Sequence, residues 1–332
     1  MARPSVSLIV PTWRAGRWLP RLLQALRAQT QPPGEILVID SASDDGTAQL
    51  AREAGCRVEV IAQESFNHGA TRNQAALRVG GEILVFMTQD ALPANEEFLA
   101  ALVRPIAAGA AAATYARQLP RAEATPPERF QRHYQYPERG RRAAEGTGVA
   151  FVYFCSNSAA AVGRAAFHAV GGFPPHVPCC EDIVLSAKLH QAGYATQYVP
   201  EAAVVHSHNL ALQAQFRRYF DTGVAFAQAE ALLRGARPNA DGRRYALSLL
   251  GYLAREREWG WLAFACAELG AKWAGYHLGR RERLVPQAWK PVLSQQPSYW
   301  RGARPSAWLA SDPRLGAAAG QARAAAVGEP PA

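Results

Sequence analysis

The stretch Gly80 to Pro93, GGEILVFMTQDALP, limits what this chain can fold into more than any other part of its 332 residues. Ile83 to Met87 is an unbroken apolar run rich in β-formers, short enough for a strand buried on both faces. Such a strand belongs inside a parallel sheet with helices packed on each side. The run stops at Thr88-Gln89-Asp90, and Pro93 turns the chain toward a predicted helix from Asn95. Asp90 then stands at the carboxyl end of a central strand, where open α/β sheets bind ligands. Two uses of a carboxylate fit that place: holding a divalent cation through oxygen, or capping the next helix.

The preceding residues read as the rest of such a sheet. Val6 to Val10 is a strand ending at Pro11-Thr12, and Trp18, Leu19, Leu22, Leu23 and Leu26 recur at helical spacing. Ile36 to Ile39 is a second strand, ending in Asp40 to Thr47. Ala48 to Ala54 is a helix, Val58 to Ile61 a third strand, and Ala70 to Val79 a helix leading into the central run. Strands alternating with short helices mean βαβ units and an α/β class. No GxGxxG follows the first strand, which excludes the dinucleotide fingerprint. Further on, Ala107 to Ala116, Phe151 to Cys155, Thr196 to Val199 and Ala202 to Val205 read as strands. Helices are expected from Arg164 and over Ile183 to Ala192.

Cys56, Cys155, Cys179, Cys180 and Cys266 show no metal-type spacing, and a reduced, cytosolic chain is the simplest reading. The apolar run near the N-terminus is too short for a signal peptide and enters the first strand directly. The net charge of +9 is concentrated late: residues 210–332 hold 17 Arg or Lys against 9 Asp or Glu. An anionic membrane or an acidic glycan suits that charge, and nucleic acid ranks last because no fold signature for it accompanies the charge.

Four motifs follow one another along the chain: VSLIVPTW, VIDSASDDGT, FNHGATRNQA and FMTQDALP. Together they resemble the nucleotide-sugar-binding half of glycosyltransferase family 2. The wording FNHG-TRN followed by TQDA-P is similar to the rhamnosyltransferase branch. The resemblance covers residues 5 to about 225. It implies a GT-A type fold with a mainly parallel central sheet, and an inverting transfer of L-rhamnose, most naturally from dTDP-L-rhamnose, to a glycan or lipid-linked acceptor. Surface polysaccharide synthesis on the cytoplasmic side is the implied setting. Another nucleotide sugar, or a catalytically silent partner in a synthase, are the alternatives.

By the same resemblance, Asp40 accepts an N–H of the nucleotide base, with Pro11 and Thr12 beside it. Gln89 and Asp90 lie at the donor, and Arg72 meets the diphosphate. The plainer readings are a turn and helix cap for Asp40 to Gly46, and a surface ion pair of Arg72 with Glu64 or Glu82. Asp90 helps to hold Mg2+ or Mn2+, although the usual family D-x-D is here Thr88-Gln89-Asp90-Ala91, with one acid. His206, with His208 as second choice, supplies the ligand this motif lacks. Gly172, Phe173 and Glu181 are acceptor-side residues and Asp182 the catalytic base, because a sugar hydroxyl is a poor nucleophile until its proton is taken up. Acids that merely complement the start of a helix are the alternative for Glu181 and Asp182. Thr125 to Gly148, polar and basic, reads as a loop with a short helix, either an acceptor-side lid or a surface excursion.

After Leu210 the character changes. Residues 1–225 are expected to form the transferase domain, 226–293 a basic helical region, and 294–332 an Ala/Gly/Pro-rich tail disordered from about Asp312. Trp259 to Gly279 carries Glu268 and Lys272, too polar for a membrane span. The remaining readings are an interfacial helix pair with tryptophan anchors, a helical subdomain packed on the first domain, or a homo-oligomer contact.

Overall fold

The structure, a computed structural model, describes residues 3–139, 152–234 and 240–302. Its first part alternates strictly: β1 (Val6–Thr12), α1 (Leu19–Arg27), β2 (Glu35–Asp40), α2 (Thr47–Glu53), β3 (Arg57–Val60), α3 (His68–Arg78) and β4 (Ile83–Met87). These four strands run parallel in the order β3-β2-β1-β4. The chain moves outward from β1 through β2 to β3, then returns to place β4 on the other side of β1. Between β1 and β4 lies the point where the strand order reverses, and the loops leaving their carboxyl ends part to make a crevice.

The second part adds β5 (Leu92–Pro93), α4 (Phe98–Ala107), β6 (Ala113–Leu119), α5 (Pro126–Gln135), β7 (Ala159–Gly163), α6 (Arg164–Ala169), α7 (Glu181–Gln191) and β8 (Thr196–Val205). The sheet continues β4-β7-β6-β8-β5, with β7 antiparallel to both neighbours and β6 parallel to β8. It is thus a mixed sheet with a parallel half.

Alternation along each strand divides the core. Leu8, Val10, Val85 and Met87 face α1 and α4, where Leu19, Leu22, Leu26, Phe98 and Leu102 are buried. Ile9, Leu84 and Phe86 face the opposite way, against Ala75, Ala76, Phe167, Phe173 and Leu185. That is why β4 has no polar position: both its faces are covered, and every residue in it is buried.

Two expected strands fall elsewhere. Over Ala107 to Ala116 the chain first ends α4 at Ala107, turns at Gly109 (φ +71°) and only then starts β6 at Ala113. An alanine run carries no period, and the left-handed glycine marks the helix end. The strand expected over Phe151 to Cys155 is absent: Tyr153 to Cys155 is irregular, and Phe151 lies outside the described residues. Phe154 packs instead against Tyr115 and Tyr136, and β7 forms later. The two runs at Thr196 and Ala202 are one strand, β8, whose ladder to β6 shifts register between Ala116 and Arg117.

The helical part comprises α8 (Leu212–Gln228), α9 (Ala240–Arg255), α10 (Leu262–Arg280), α11 (Lys290–Leu293) and α12 (Pro297–Trp300). Residue 225 falls inside α8. Helices α8 and α10 cross closely because Gly223, Gly275 and Gly279 let backbone meet backbone. Glu268 and Lys272 of α10 are buried, 2.9 Å apart, with Gln215 of α8 donating to Glu268 and Lys272 donating to Gln131 of α5. Among the described residues no helix is long and apolar enough to cross a membrane. The segment 140–148 of the expected lid and the tail from 303 lie outside the described residues.

A Cβ on Gly279 would lie 2.0 Å from the carbonyl oxygen of Phe220. Gly279→Ala should therefore force α8 and α10 apart and cost about 1–3 kcal/mol, the usual penalty of overpacking. Urea denaturation checks this, and Gly270→Ala on the exposed side of the same helix should be neutral or slightly stabilising.

Candidate active site

Three loops meet at the crevice. Thr12 ends β1, and its hydroxyl donates to Asp40 Oδ1 at 2.9 Å. Asp40 ends β2 and is almost wholly buried; the Ser43 hydroxyl also donates to Oδ1, and the Ser43 amide to Oδ2. The turn after it is self-supporting. Asp45 accepts from the amides of Gly16 and Thr47, and Asp44 pairs with Arg14 at the surface. Asp44, Asp45 and Ser43 thus shape the turn. Pro11 is half-buried near the end of β1. Gln89 is bonded at both ends of its amide to the backbone of Trp13, at 2.8 and 3.0 Å, so it ties the β4 loop to the β1 loop.

Asp90 is buried beneath the end of β8. His206 Nε2 lies 3.5 Å from Asp90 Oδ1, His208 Nε2 lies 3.4 Å from Oδ2, and the two Nε2 atoms are 3.1 Å apart. All three donor atoms lie within 4.8 Å of one another. Ligands at about 2.2 Å from a metal, at right angles, stand about 3.1 Å apart, so this set fits a first-row divalent ion. Burial alone would raise the Asp90 carboxyl, but His206, His208 and Arg121 outweigh it and hold the carboxyl well below the usual range. Burial lowers both imidazoles, His208 to about 4, so their nitrogens are neutral ligands at physiological pH.

Behind the histidines stands a network that the sequence reading missed. His206 Nδ1 faces Gln118 Oε1 at 2.9 Å, which fixes the ring and leaves Nε2 facing Asp90. Gln118 Oε1 also accepts from Arg132, and Arg132 donates to Glu128 at 2.7 Å. Glu128 in turn accepts the amide of His208. Arg121 closes the other side. It donates to the carbonyl and the carboxylate of Asp90, holds the backbone of Ser207, and stacks on Trp18 at 4.1 Å.

The fourth motif turns out to be a clamp. Asn67 caps α3, accepting from the amides of Gly69 and Ala70. Gly69 meets the backbone of Pro174 so closely that a Cβ would lie 2.3 Å from its carbonyl oxygen. Asn73 bonds both the amide and the carbonyl of Phe173, each at 2.8 Å. Arg72 is buried and pairs with Glu181 at 3.2 Å, rather than with Glu64 or Glu82. Glu181 is also held by Asn157, and His68, Arg72 and Asn157 keep its carboxyl below the usual range although burial pushes upward.

Two acceptor-side expectations are corrected here. Phe173 has no exposed surface: its ring packs edge-on against Phe86 at 5.0 Å and Phe167 at 5.2 Å, so it is core. Gly172 is needed for its left-handed turn (φ +61°), with Asn73 Oδ1 and Phe167 pressed against it.

Asp182 starts α7 beside Glu181 and is part-buried. Its carboxylate accepts the amide of Asn157 at 3.0 Å and that of Ile183 at 2.9 Å. Burial first, and the neighbouring Glu181 charge second, push its carboxyl up to about 7 against those bonds. A carboxyl poised there can take up or give a proton at neutral pH. The β4–β7 pairing brings this group near the crevice. The Thr88 amide donates to Ser158, next to the Asn157 that holds Asp182.

Residues 7–171 match the family model for glycosyl transferase family 2. The chain is 36% identical over 304 residues to the O-antigen chain rhamnosyltransferase RfbN of Salmonella typhimurium, covering 89% of this chain and 96% of that protein. It is also 36% identical over 307 residues to the O-antigen chain rhamnosyltransferase WbaN of Salmonella anatum, covering 90% and 96%. Among solved structures, mannosyltransferase PcManGT from Pyrobaculum calidifontis, in complex with GDP-Man and Mn2+, matches with a TM-score of 0.57 and 23% identity. That match covers 91% of this chain and 86% of the other. Staphylococcus aureus TarS 1-349, in complex with UDP-GlcNAc, matches with a TM-score of 0.53 and 18% identity, covering 96% and 92%. At such identities the structural likeness speaks for the fold, which is of GT-A type.

Two variants test the supporting networks. Arg72→Met leaves Glu181 buried without its cation and should lose roughly 3–5 kcal/mol in urea denaturation. Arg72→Met combined with Glu181→Gln should recover much of that loss. Gln118→Leu frees the His206 ring to rotate, and Mn2+ affinity measured by electron paramagnetic resonance should fall roughly 10–100-fold.

Proposed function

Because the chain belongs to glycosyl transferase family 2, we propose that it transfers L-rhamnose from dTDP-L-rhamnose, with inversion, to a glycan or lipid-linked acceptor in surface polysaccharide synthesis. The observation that carries this reading is identity at 36% along nearly the whole length of two proteins named as O-antigen chain rhamnosyltransferases. The reaction belongs on the cytoplasmic side, where the donor is made.

The residues divide the work. Asp40 Oδ2 receives one protein bond, from the Ser43 amide, and has a lone pair left for a base N–H, with Pro11 and Thr12 beside it at the end of β1. Gln89 holds the Trp13 loop in place for the nucleotide. Asp90, His206 and His208 would hold a divalent cation, Mn2+ suiting the two imidazoles better than Mg2+. When bound there, the cation supplies Lewis-acid stabilisation to the leaving diphosphate. Asp182 takes the proton of the acceptor hydroxyl as that oxygen attacks the anomeric carbon, while the bond to the diphosphate breaks on the opposite face. Burial first and the Glu181 charge second make the Asp182 carboxylate basic enough, while Arg72 pairs with Glu181 and by its own charge works against that rise. Arg72 thus acts on the base side of the crevice rather than at the diphosphate. Another nucleotide sugar remains the second reading, since the structural neighbours carry GDP-Man and UDP-GlcNAc. A donor screen with and without added metal decides between them, and turnover of dTDP-L-rhamnose that survives chelation would overturn the metal assignment.

Asp182→Asn keeps the size of the side chain but can accept only one of the two amide bonds, which fall on separate carboxylate oxygens. A small loss of thermal stability is therefore expected, while nucleotide binding by calorimetry stays near normal and transfer falls at least about a hundredfold. The base must be ionised to act, so wild-type kcat should climb with pH and level off above about 7. Transfer at the normal rate by Asp182→Asn would place the base elsewhere.

A further inference from the structure

Helix α10 wears its polarity inside out. Its buried face holds Ala265, Glu268, Lys272, Gly275 and Gly279, and so includes the acid and the lysine at the middle of the helix. Its outward face is made of Ala263, Cys266, Ala267, Gly270, Trp273 and Leu278, all exposed, with Ala274 and His277 half-buried between them. At 3.6 residues per turn these positions occupy an arc of roughly 140°, as wide as the stripe a helix normally turns toward a core. That outward arc carries no acid, lysine or arginine. Trp273 is 67% exposed, and Trp259 and Leu284, just beyond the two ends, are 60% and 81% exposed.

Charge then decides what fits the face. Arg255 and Arg257 precede the helix and Arg281 and Arg283 follow it, all exposed, with one exposed acid, Glu256, between the first two. The next acids along the chain, Glu258 and Glu282, are already paired with Arg129 and Lys290. Both ends of the apolar arc are therefore basic. A second copy packed along α10, parallel or antiparallel, sets arginine against arginine. A bilayer with anionic headgroups satisfies the arc and its ends together: small and aromatic side chains enter the interface, and guanidinium groups stay at headgroup level.

We propose that the outward face of α10, anchored by Trp259, Trp273 and Leu284, lies on the surface of an anionic membrane. The helix rests in the interface rather than crossing it, as its buried Glu268–Lys272 pair requires. The crevice is thereby tethered to the surface where a lipid-borne saccharide would be presented.

The test uses the full chain and vesicles of phosphatidylcholine with and without phosphatidylglycerol, at low and high salt. Sedimentation with the anionic vesicles at low salt, a blue shift of tryptophan emission, and release at high salt are expected. Ala267→Glu/Trp273→Glu should weaken that partition by about an order of magnitude at an unchanged melting temperature, because neither side chain is buried. No binding of the wild-type chain to anionic vesicles at low salt overturns the proposal, as does equal binding by the variant. A two-chain mass in light scattering that the variant reduces to one assigns the face to a second copy and overturns it equally.

Discussion

Taking an arginine and a glutamate out of water costs several kcal/mol per ion, and the pair returns that only where further bonds satisfy both groups. Glu181 meets the condition and Arg72 meets it in part, its Nε being buried without a partner among the described residues. Arg72 donates to the carbonyl of His68 as well as to Glu181, and Glu181 accepts from Asn157. The pair joins α3, packed on the parallel half of the sheet, to α7, which carries Asp182. Remove it and the helix start that bears Asp182 loses its anchor, Asn157 loses a partner, and the charge that raises Asp182 is left without its counter-ion. Most of what makes this crevice a reaction site hangs from that contact.

The dihistidine site shows the same economy from another direction. One carboxylate and two imidazoles make a poorer magnet for cations than two carboxylates, so geometry has to contribute more. Gln118, Arg132 and Glu128 form a chain of bonds reaching both histidines, one through a ring nitrogen and one through a backbone amide. This chain runs from β6 through α5, its neighbour in sequence, to the end of the distant β8. Arg121 adds a positive charge against Asp90, so the carboxylate is never alone in a buried place.

Much of the fold could be read directly from residues because the parallel half is built of short apolar runs that end in polar loops. The run at Ile83 to Met87 has the same bounds in the structure, and Asp40, Thr12 and Asp90 reach one crevice as their strand ends required. Where the pattern had no period, reading failed: Ala107 to Ala112, alanine but for Gly109, suits a helix end, a turn or a strand equally. Phe173 was misplaced for a related reason, since an aromatic beside two glycines looks like a binding loop until Phe86 and Phe167 are seen to enclose it. Asn157, Gln118 and Arg121 gave no local signal at all. Their roles arise from antiparallel β7 entering next to β4 and from β6 ending beside β8, long-range pairings that spacing does not reveal. Glu128 and Arg132, four apart, were the one exception. They are a helical ion pair, legible within the stretch whose sequence reads as a loop with a short helix.

The contact of Gly69 with Pro174 has a consequence for motion. With backbone against backbone there, and Asn73 bonded to both sides of the Phe173 peptide unit, the segment carrying Asp182 cannot swing independently of α3. Asp182, the proposed base, is thereby held with α3 before any substrate arrives. Selection among acceptors must then be a matter of reach: a hydroxyl is accepted only if its own sugar can bring it to a stationary carboxylate. Conformational search is thus left to the substrate, and the enzyme keeps the entropy of its own catalytic group already spent in folding.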